Sequence, residues 1–325
     1  MAAVAAGIVG IVCLAALVAA SLALLLAQRT RARVHTTLTA VTPSEPSRFA
    51  HAYILHSAHR TDRDDIVTAL TQVARAAGTP EPHVHVFPAT YLHADDAAAQ
   101  AFRDCAEQRM RNMPPTWSCA STPLRIMCGR SGATPRGIRA GEFGCTASHK
   151  AALQHALTAQ PSLASPRTND WVLIFEDDAT LHPGVGGGAA ADDATAALMQ
   201  QAIGAAARAG IDAVFFGWRF HRPTPRMTRV AARLWRASSA PFLAHAYAVR
   251  GSLIPTLLQL LERYHCILPV DEVYSFLLGA VLIATADVVA HTQQPPPTAA
   301  LFVQHRPDGW HSDTMDPPEA ARFDS

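Results

Sequence analysis

The longest apolar stretch of the chain is its start. Residues 2–27, AAVAAGIVGIVCLAALVAASLALLLA, hold no charged side chain. About 20 apolar residues cross a bilayer core as a helix, so this segment is long enough to span with some tilt. A cleaved leader has a shorter apolar region behind a basic start, and nothing basic precedes this run. The expectation is an uncleaved single-pass anchor over residues 2–28. Arg29, Arg31 and Arg33 follow it, and the positive-inside rule would keep that end in the cytoplasm.

Beyond the anchor the pattern turns polar. Residues 29–49 include TPSEPSR and read as a linker or stem. AHAYILHS at 50–57 predicts a strand, and DRDDIVTALTQVARAAG carries apolar residues at helical spacing up to Gly78. HVHVFPA at 83–89 predicts a second strand. Residues 94–140, with scattered Pro, Gly and Arg, read as an insertion containing a short helix. GEFGCTASHKAALQHALTA predicts a helix to about residue 159, and WVLIFEDD at 171–178 a buried strand ending in acids. A Gly/Ala-rich loop, HPGVGGGAAADD, leads to an alanine-rich helix. DAVFFGW and FLAHAYAVR predict two more strands, and GSLIPTLLQLLERYH a helix. Strands alternating with helices imply an α/β fold with a mainly parallel sheet.

Composition narrows the class. The 325 residues are 49% apolar and 16% charged, with a formal net charge of +1. There is no broad basic field, so nucleic acid is not an expected partner. Arginines cluster between Arg219 and Arg236, and a solvated surface is favoured there over a patch facing phosphates. Six cysteines are present and none forms a CxxC pair, so a zinc site with paired ligands is not expected. Cys119 and Cys128 are spaced to close a small disulfide loop if the domain faces an oxidising lumen.

The candidate chemistry lies at the ends of predicted elements. The strand at 171–175 runs directly into Glu176-Asp177-Asp178. In open α/β sheets ligands gather at the carboxyl ends of strands. Carboxylates placed there hold Mg²⁺ or Mn²⁺, hard ions that bridge to phosphates; the plainer reading is an acidic turn. Pro269-Val270-Asp271-Glu272 begins a predicted helix. Acids in a first turn suit the helix dipole, and either Asp271 or Glu272 would also serve as a general base towards an acceptor hydroxyl. Gly141 to His149, GEFGCTASH, reads as a helix start, either plain or approached closely by a nucleotide. Ser148 and His149 are consecutive and do not face each other on a helix, and no GxSxG elbow surrounds the serine. Most of the sixteen histidines are expected at the surface or in structural hydrogen bonds. His291, His305 and His311 lie beyond the last predicted strand, where one of them would complete a metal shell.

In order, AYILHSAHRTDRDD, GEFGCTASH, WVLIFEDDATLHP, DAVFFGW, AHAYAVRGS, PVDEVYS and LFVQHRPDGWHSD resemble the segments of glycosyltransferase family 25, the lipooligosaccharide and procollagen galactosyltransferase group. The resemblance covers residues 50–315 and leaves a tail at 316–325. His56 stands where the family has an asparagine. The resemblance implies a GT-A-type nucleotide-sugar-binding fold and an inverting transfer that depends on Mn²⁺ or Mg²⁺. It implies Asp178, Asp177 and Glu176 as metal residues, in that order of preference, and Asp271 or Glu272 as catalytic base. Arg63, Gly144, Ser148 and His149 would line the donor site. The donor would be a UDP-sugar, with galactose the family-weighted choice. The acceptor would be a glycan, a lipid-linked glycan or a protein hydroxyl. Many such enzymes place the catalytic domain in the lumen, against the positive-inside reading, so the side of the membrane stays open. Two rivals stand beside this reading: an inactive relative kept as a binding module, and a metal-dependent phosphohydrolase.

Overall fold

The computed structural model describes residues 46–90, 92, 97–111, 140–181, 189–219, 227–231, 234–237, 242–264, 266, 268–271, 273–274, 288–291 and 301–304. The most apolar strand of the sequence is also the most enclosed. Trp171, Val172, Leu173, Ile174 and Phe175 all lie on β3 (Asp170–Glu176) and none is exposed. A strand buried on both faces reads as a continuous apolar run because helices cover both sides. Each such side chain contributes about 1.5–3 kcal/mol by leaving water.

The strands form one mixed sheet. Its order is β2 (Val84–Pro88), β1 (Arg48–His56), β3, β8 (Phe242–Arg250), β5 (Ala213–Arg219), β9 (Val288–His291), β7 (Leu234–Ala237) and β6 (Met227–Ala231). β4 (Ala179–Leu181) and β10 (Phe302–Gln304) attach beside β5. β2 and β3 both pair with β1 in parallel, and β9 pairs with β5 in parallel. β8 is antiparallel to β3 and β5 between them. β1, β2, β3, β5 and β9 therefore all point one way. The molecule is α/β as its periodicity implies, and its sheet is mixed and mostly parallel in that central set.

Helices cover the two faces. α1 (Asp64–Ala76) and α4 (Ala189–Arg208) pack over Ala52, Ile54, Leu173, Phe175, Val214 and Phe216. α1 ends at Gly78, whose φ of +82° suits glycine; the Thr79 N–H returns to the Ala74 carbonyl at 3.2 Å. α2 (Ala97–Arg111) lies within the expected insertion. α3 (Ala140–Ala159) and α5 (Ile254–Tyr264) pack together on the opposite face.

Several elements depart from the sequence reading. Asp192 and Asp193, expected in the glycine-rich loop, belong to α4, because the alanines before them already propagate a helix. Trp235 and Arg236 of the arginine-rich segment lie in an antiparallel hairpin, β6 with β7. His291, placed beyond the last strand, sits on β9 opposite Leu234. Cys105 and Cys266 form a disulfide across 161 positions. Cys119 and Cys128, the pair expected to close a loop, lie outside the described residues, as do Glu272, His305 and His311. The anchor at 2–28 lies outside them too, and among the described residues no helix is long and apolar enough to cross a membrane.

Candidate functional site

The acidic turn sits at the carboxyl ends of β1 and β3. The parallel register sets Leu55 beside Glu176, and the Asp177 N–H extends the ladder by donating to the Leu55 carbonyl at 3.1 Å. Asp177 then turns its carboxylate towards the end of β1. Its Oδ2 lies 2.9 Å from His56 Nδ1 and accepts the Ser57 N–H at 3.3 Å. His56 Nε2 is 3.5 Å from Asp64 Oδ1 at the start of α1, so the ring bridges two carboxylates. His56 thus takes a direct part in holding Asp177. Asp178 is buried, 7% exposed, at the turn into β4.

Glu176 faces the other way along the sheet, as strand alternation demands. Its Oε1 is 3.0 Å from His149 Nε2, and the Cys145 thiol donates to the same oxygen at 3.4 Å. Cys145 and His149 are four residues apart on α3 and share a helical face. His149 Nδ1 lies 2.7 Å from the Tyr247 hydroxyl of β8, and the Tyr274 hydroxyl donates to Tyr247 at 2.6 Å. One direction of donation satisfies the whole chain: Tyr274 to Tyr247, Tyr247 to His149 Nδ1, His149 Nε2–H to Glu176. All four side chains except that of Glu176 are fully enclosed, so every link forms in a low-dielectric setting.

The electrostatics follow from this enclosure. Burial pushes the Glu176 carboxyl up, but the hydrogen bond from His149, with help from His245 and Cys145, brings it below the ordinary carboxylate value. The Cys145 thiol is driven well up by burial, then by Glu176, Asp271 and Asp178. Burial likewise raises the Tyr247 and Tyr274 hydroxyls. Asp271 lies on a helical turn with Val270, Val273 and Tyr274, and its charge acts on both Cys145 and Tyr274.

The proposed donor residues are placed differently from one another. A Cβ on Gly144 would run into the Thr90 carbonyl oxygen, so this glycine admits the chain following β2. Ser148 Oγ accepts the Thr90 N–H at 2.7 Å and donates to the Gly144 carbonyl at 2.7 Å. Gly144, Ser148 and His149 are thus all engaged in internal packing. Arg63 is 1% exposed, with Nε 3.3 Å from Asp62 Oδ2.

Cys145, His149 and Glu176 present ligand atoms within 4.8 Å of one another, a set able to surround a cation. Their mutual hydrogen bonds already account for that closeness, since His149 has both ring nitrogens engaged. Asp177 and Asp178 offer the harder oxygen donors that Mg²⁺ or Mn²⁺ prefers. Of the expected metal residues, Asp177 and Asp178 fit such an ion, and Glu176 fits the hydrogen-bonded chain. Sequence reading missed Tyr247, Tyr274 and Cys145 as members of the site. The available signal was the three-residue spacing of Asp271 and Tyr274, one helical turn. The chain matches no protein-family model and no curated protein.

Proposed function

We propose that this chain is a membrane-anchored, metal-dependent glycosyltransferase of the family 25 type, moving a sugar from a UDP-sugar to an acceptor hydroxyl with inversion. The observation that carries the reading is the acidic turn at the carboxyl ends of β1 and β3, where Asp177 is held by His56 Nδ1 at 2.9 Å and the Ser57 N–H at 3.3 Å and Asp178 lies buried beside it. A GT-A-type sheet has its nucleotide at the carboxyl ends of such strands, where this turn lies. The ordered motifs quoted above support the family.

In this reading Asp178, with Asp177 beside it, would hold Mn²⁺ or Mg²⁺, which would supply charge neutralisation for the departing diphosphate. His56 and the Ser57 N–H orient Asp177. Asp271 or Glu272 takes the acceptor proton as the hydroxyl attacks the anomeric carbon. The chain from Glu176 through His149 and Tyr247 to Tyr274 ties the Asp271 turn to the end of β3, so base and metal residues keep a fixed separation. The Cys105–Cys266 disulfide supports a catalytic domain facing an oxidising compartment.

The test uses the full-length chain in detergent, screened against nucleotide sugars for diphosphate release with Mn²⁺ or chelator. Release is expected to need metal and to fall by about 10³-fold or more in Asp178→Ala, the scale lost when transition-state charge stabilisation is removed. Well-folded protein that binds and turns over no donor would favour the inactive relative. Release that is indifferent to every acceptor would favour the phosphohydrolase.

A further inference from the structure

The strand that follows the acidic turn is held by a segment from much later in the chain. β4 starts at Ala179, the residue after Asp178, and its partner is β10. Gln304 pairs with Ala179, Val303 with Thr180 and Phe302 with Leu181, in antiparallel register. β10 is held in turn by β5, where Phe302 pairs with Gly217 in parallel and the Leu301 N–H donates to the Phe216 carbonyl at 2.9 Å. The Phe302 ring centroid lies 5.1 Å from that of Phe175, and neither ring is exposed. So short a strand pair is marginal by itself, and whatever fixes β10 therefore also fixes β4.

His245 of β8 supplies the pin. It is 2% exposed, and its Nε2 lies 3.3 Å from the Phe302 carbonyl oxygen. A carbonyl only accepts, so the proton is on Nε2 and the ring donates. The ring reaches β10 across Gly217. A Cβ at that position would stand 2.3 Å from His245 Nε2 and 2.5 Å from Cδ2, so the glycine leaves a seat for the imidazole. The β5–β8 ladder shifts register on either side of Gly217, where a glycine within a strand marks a bulge or a close approach. Phe175 with Ala246 is the last pair between β3 and β8, so Glu176 and His245 are the next positions along the two strands. The pin thus stands beside the start of the acidic turn.

We infer that His245 is a positioning residue for the acidic turn: seated against Gly217, it pins β10 to β4 and so fixes where Asp177 and Asp178 are held. The consequence for ion affinity rests on the metal reading proposed above, whereas the pin is a matter of strand geometry alone. Groups behind a ligating carboxylate set its orientation, and loosening them weakens ion binding without removing a ligand. His245 acts in this way, through β10 and β4.

The experiment takes the full-length chain in detergent. Hydrogen exchange read by mass spectrometry follows the peptides spanning 177–181 and 301–304, and Mn²⁺ affinity is read by electron paramagnetic resonance of the free ion. His245→Ala should speed exchange in both peptides about 10-fold and weaken Mn²⁺ binding on the order of 10-fold. His245→Gln, which keeps an N–H donor, should restore part of both. Gly217→Ala should act like His245→Ala, because its methyl takes the place of the ring. In the double variant the methyl meets no ring, so Gly217→Ala should add little to His245→Ala. Gly217→Ala leaves every hydrogen-bonding group in the chain, so it carries the test if His245→Ala fails to fold. Unchanged exchange at 177–181, or full additivity of the two substitutions, would overturn the inference. So would Mn²⁺ affinity that holds in His245→Ala but is lost in Asp178→Ala. Affinity that holds in Asp178→Ala sinks the metal reading instead, and the exchange data then decide the pin.

Discussion

Two histidines on α3, His149 and His155, lie on the same side of the sheet and live in opposite settings. His149 is fully enclosed, engages both ring nitrogens, and ends a polar chain on the Glu176 carboxylate. His155 is exposed and belongs to a group of rings without a carboxylate, beside Tyr53, His85 and Phe87. The first setting stabilises one arrangement of charge, and removing any member strands a buried polar group. In the second, the ring meets its aromatic neighbours edge-on, with Nδ1 2.8 Å from the Tyr53 hydroxyl. Distance from solvent and the presence of an anion separate a histidine committed to a buried polar chain from one packed among exposed rings, although both share a helix.

The sharpest break of this comparison is truncation at each end. His149→Ala leaves Glu176 with a partner lost in a mostly enclosed site, and unfolding by urea should show a loss of about 3 kcal/mol. His155→Ala, at an exposed position, should lose about 1 kcal/mol or less. Equal losses at the two positions would dissolve the distinction.

Acid should act on the ring stack. His51 is held at about 4 in the folded chain, against 6.5 for a freely solvated histidine. The unfolded state therefore binds the extra proton first, so the contribution is complete above about pH 6.5 and is lost as pH falls towards 4. After solvent screening the loss should be about 2 kcal/mol. A series of melts between pH 7 and pH 4 should show it, reduced in His51→Asn. A slope left unchanged by that substitution would place the titrating group elsewhere.

The smallest effect concerns the far end of the polar chain. Tyr274→Phe removes one hydroxyl donor and should cost about 1 kcal/mol. Paired with Tyr247→Phe, a coupling energy of about 0.5 kcal/mol or more is expected for groups in one network. Strict additivity would mean that the hydroxyls act separately.

Much of the architecture was legible because it depends on local pattern. The run from Trp171 to Phe175 read as a buried strand, and DRDDIVTALTQVARAAG marked a helix with its stop at Gly78. The hairpin of β6 and β7 was not legible, because short strands with arginines lack the apolar alternation that marks a half-buried sheet. The disulfide was not legible either, since nothing in the spacing of Cys105 and Cys266 marks two positions 161 apart as neighbours.

The site divides in the same way. That Glu176, Asp177 and Asp178 end a buried strand follows from the order of residues, because a strand's apolar run and its acidic terminus are contiguous. That these three neighbours part company needed the folded chain. Alternation sends Glu176 to His149, while the turn hands Asp177 to His56. The period-two histidines of β1 and β2 were likewise visible one strand at a time. Their meeting depends on the parallel register between two strands separated by a whole helix, a long-range pairing that no local pattern encodes.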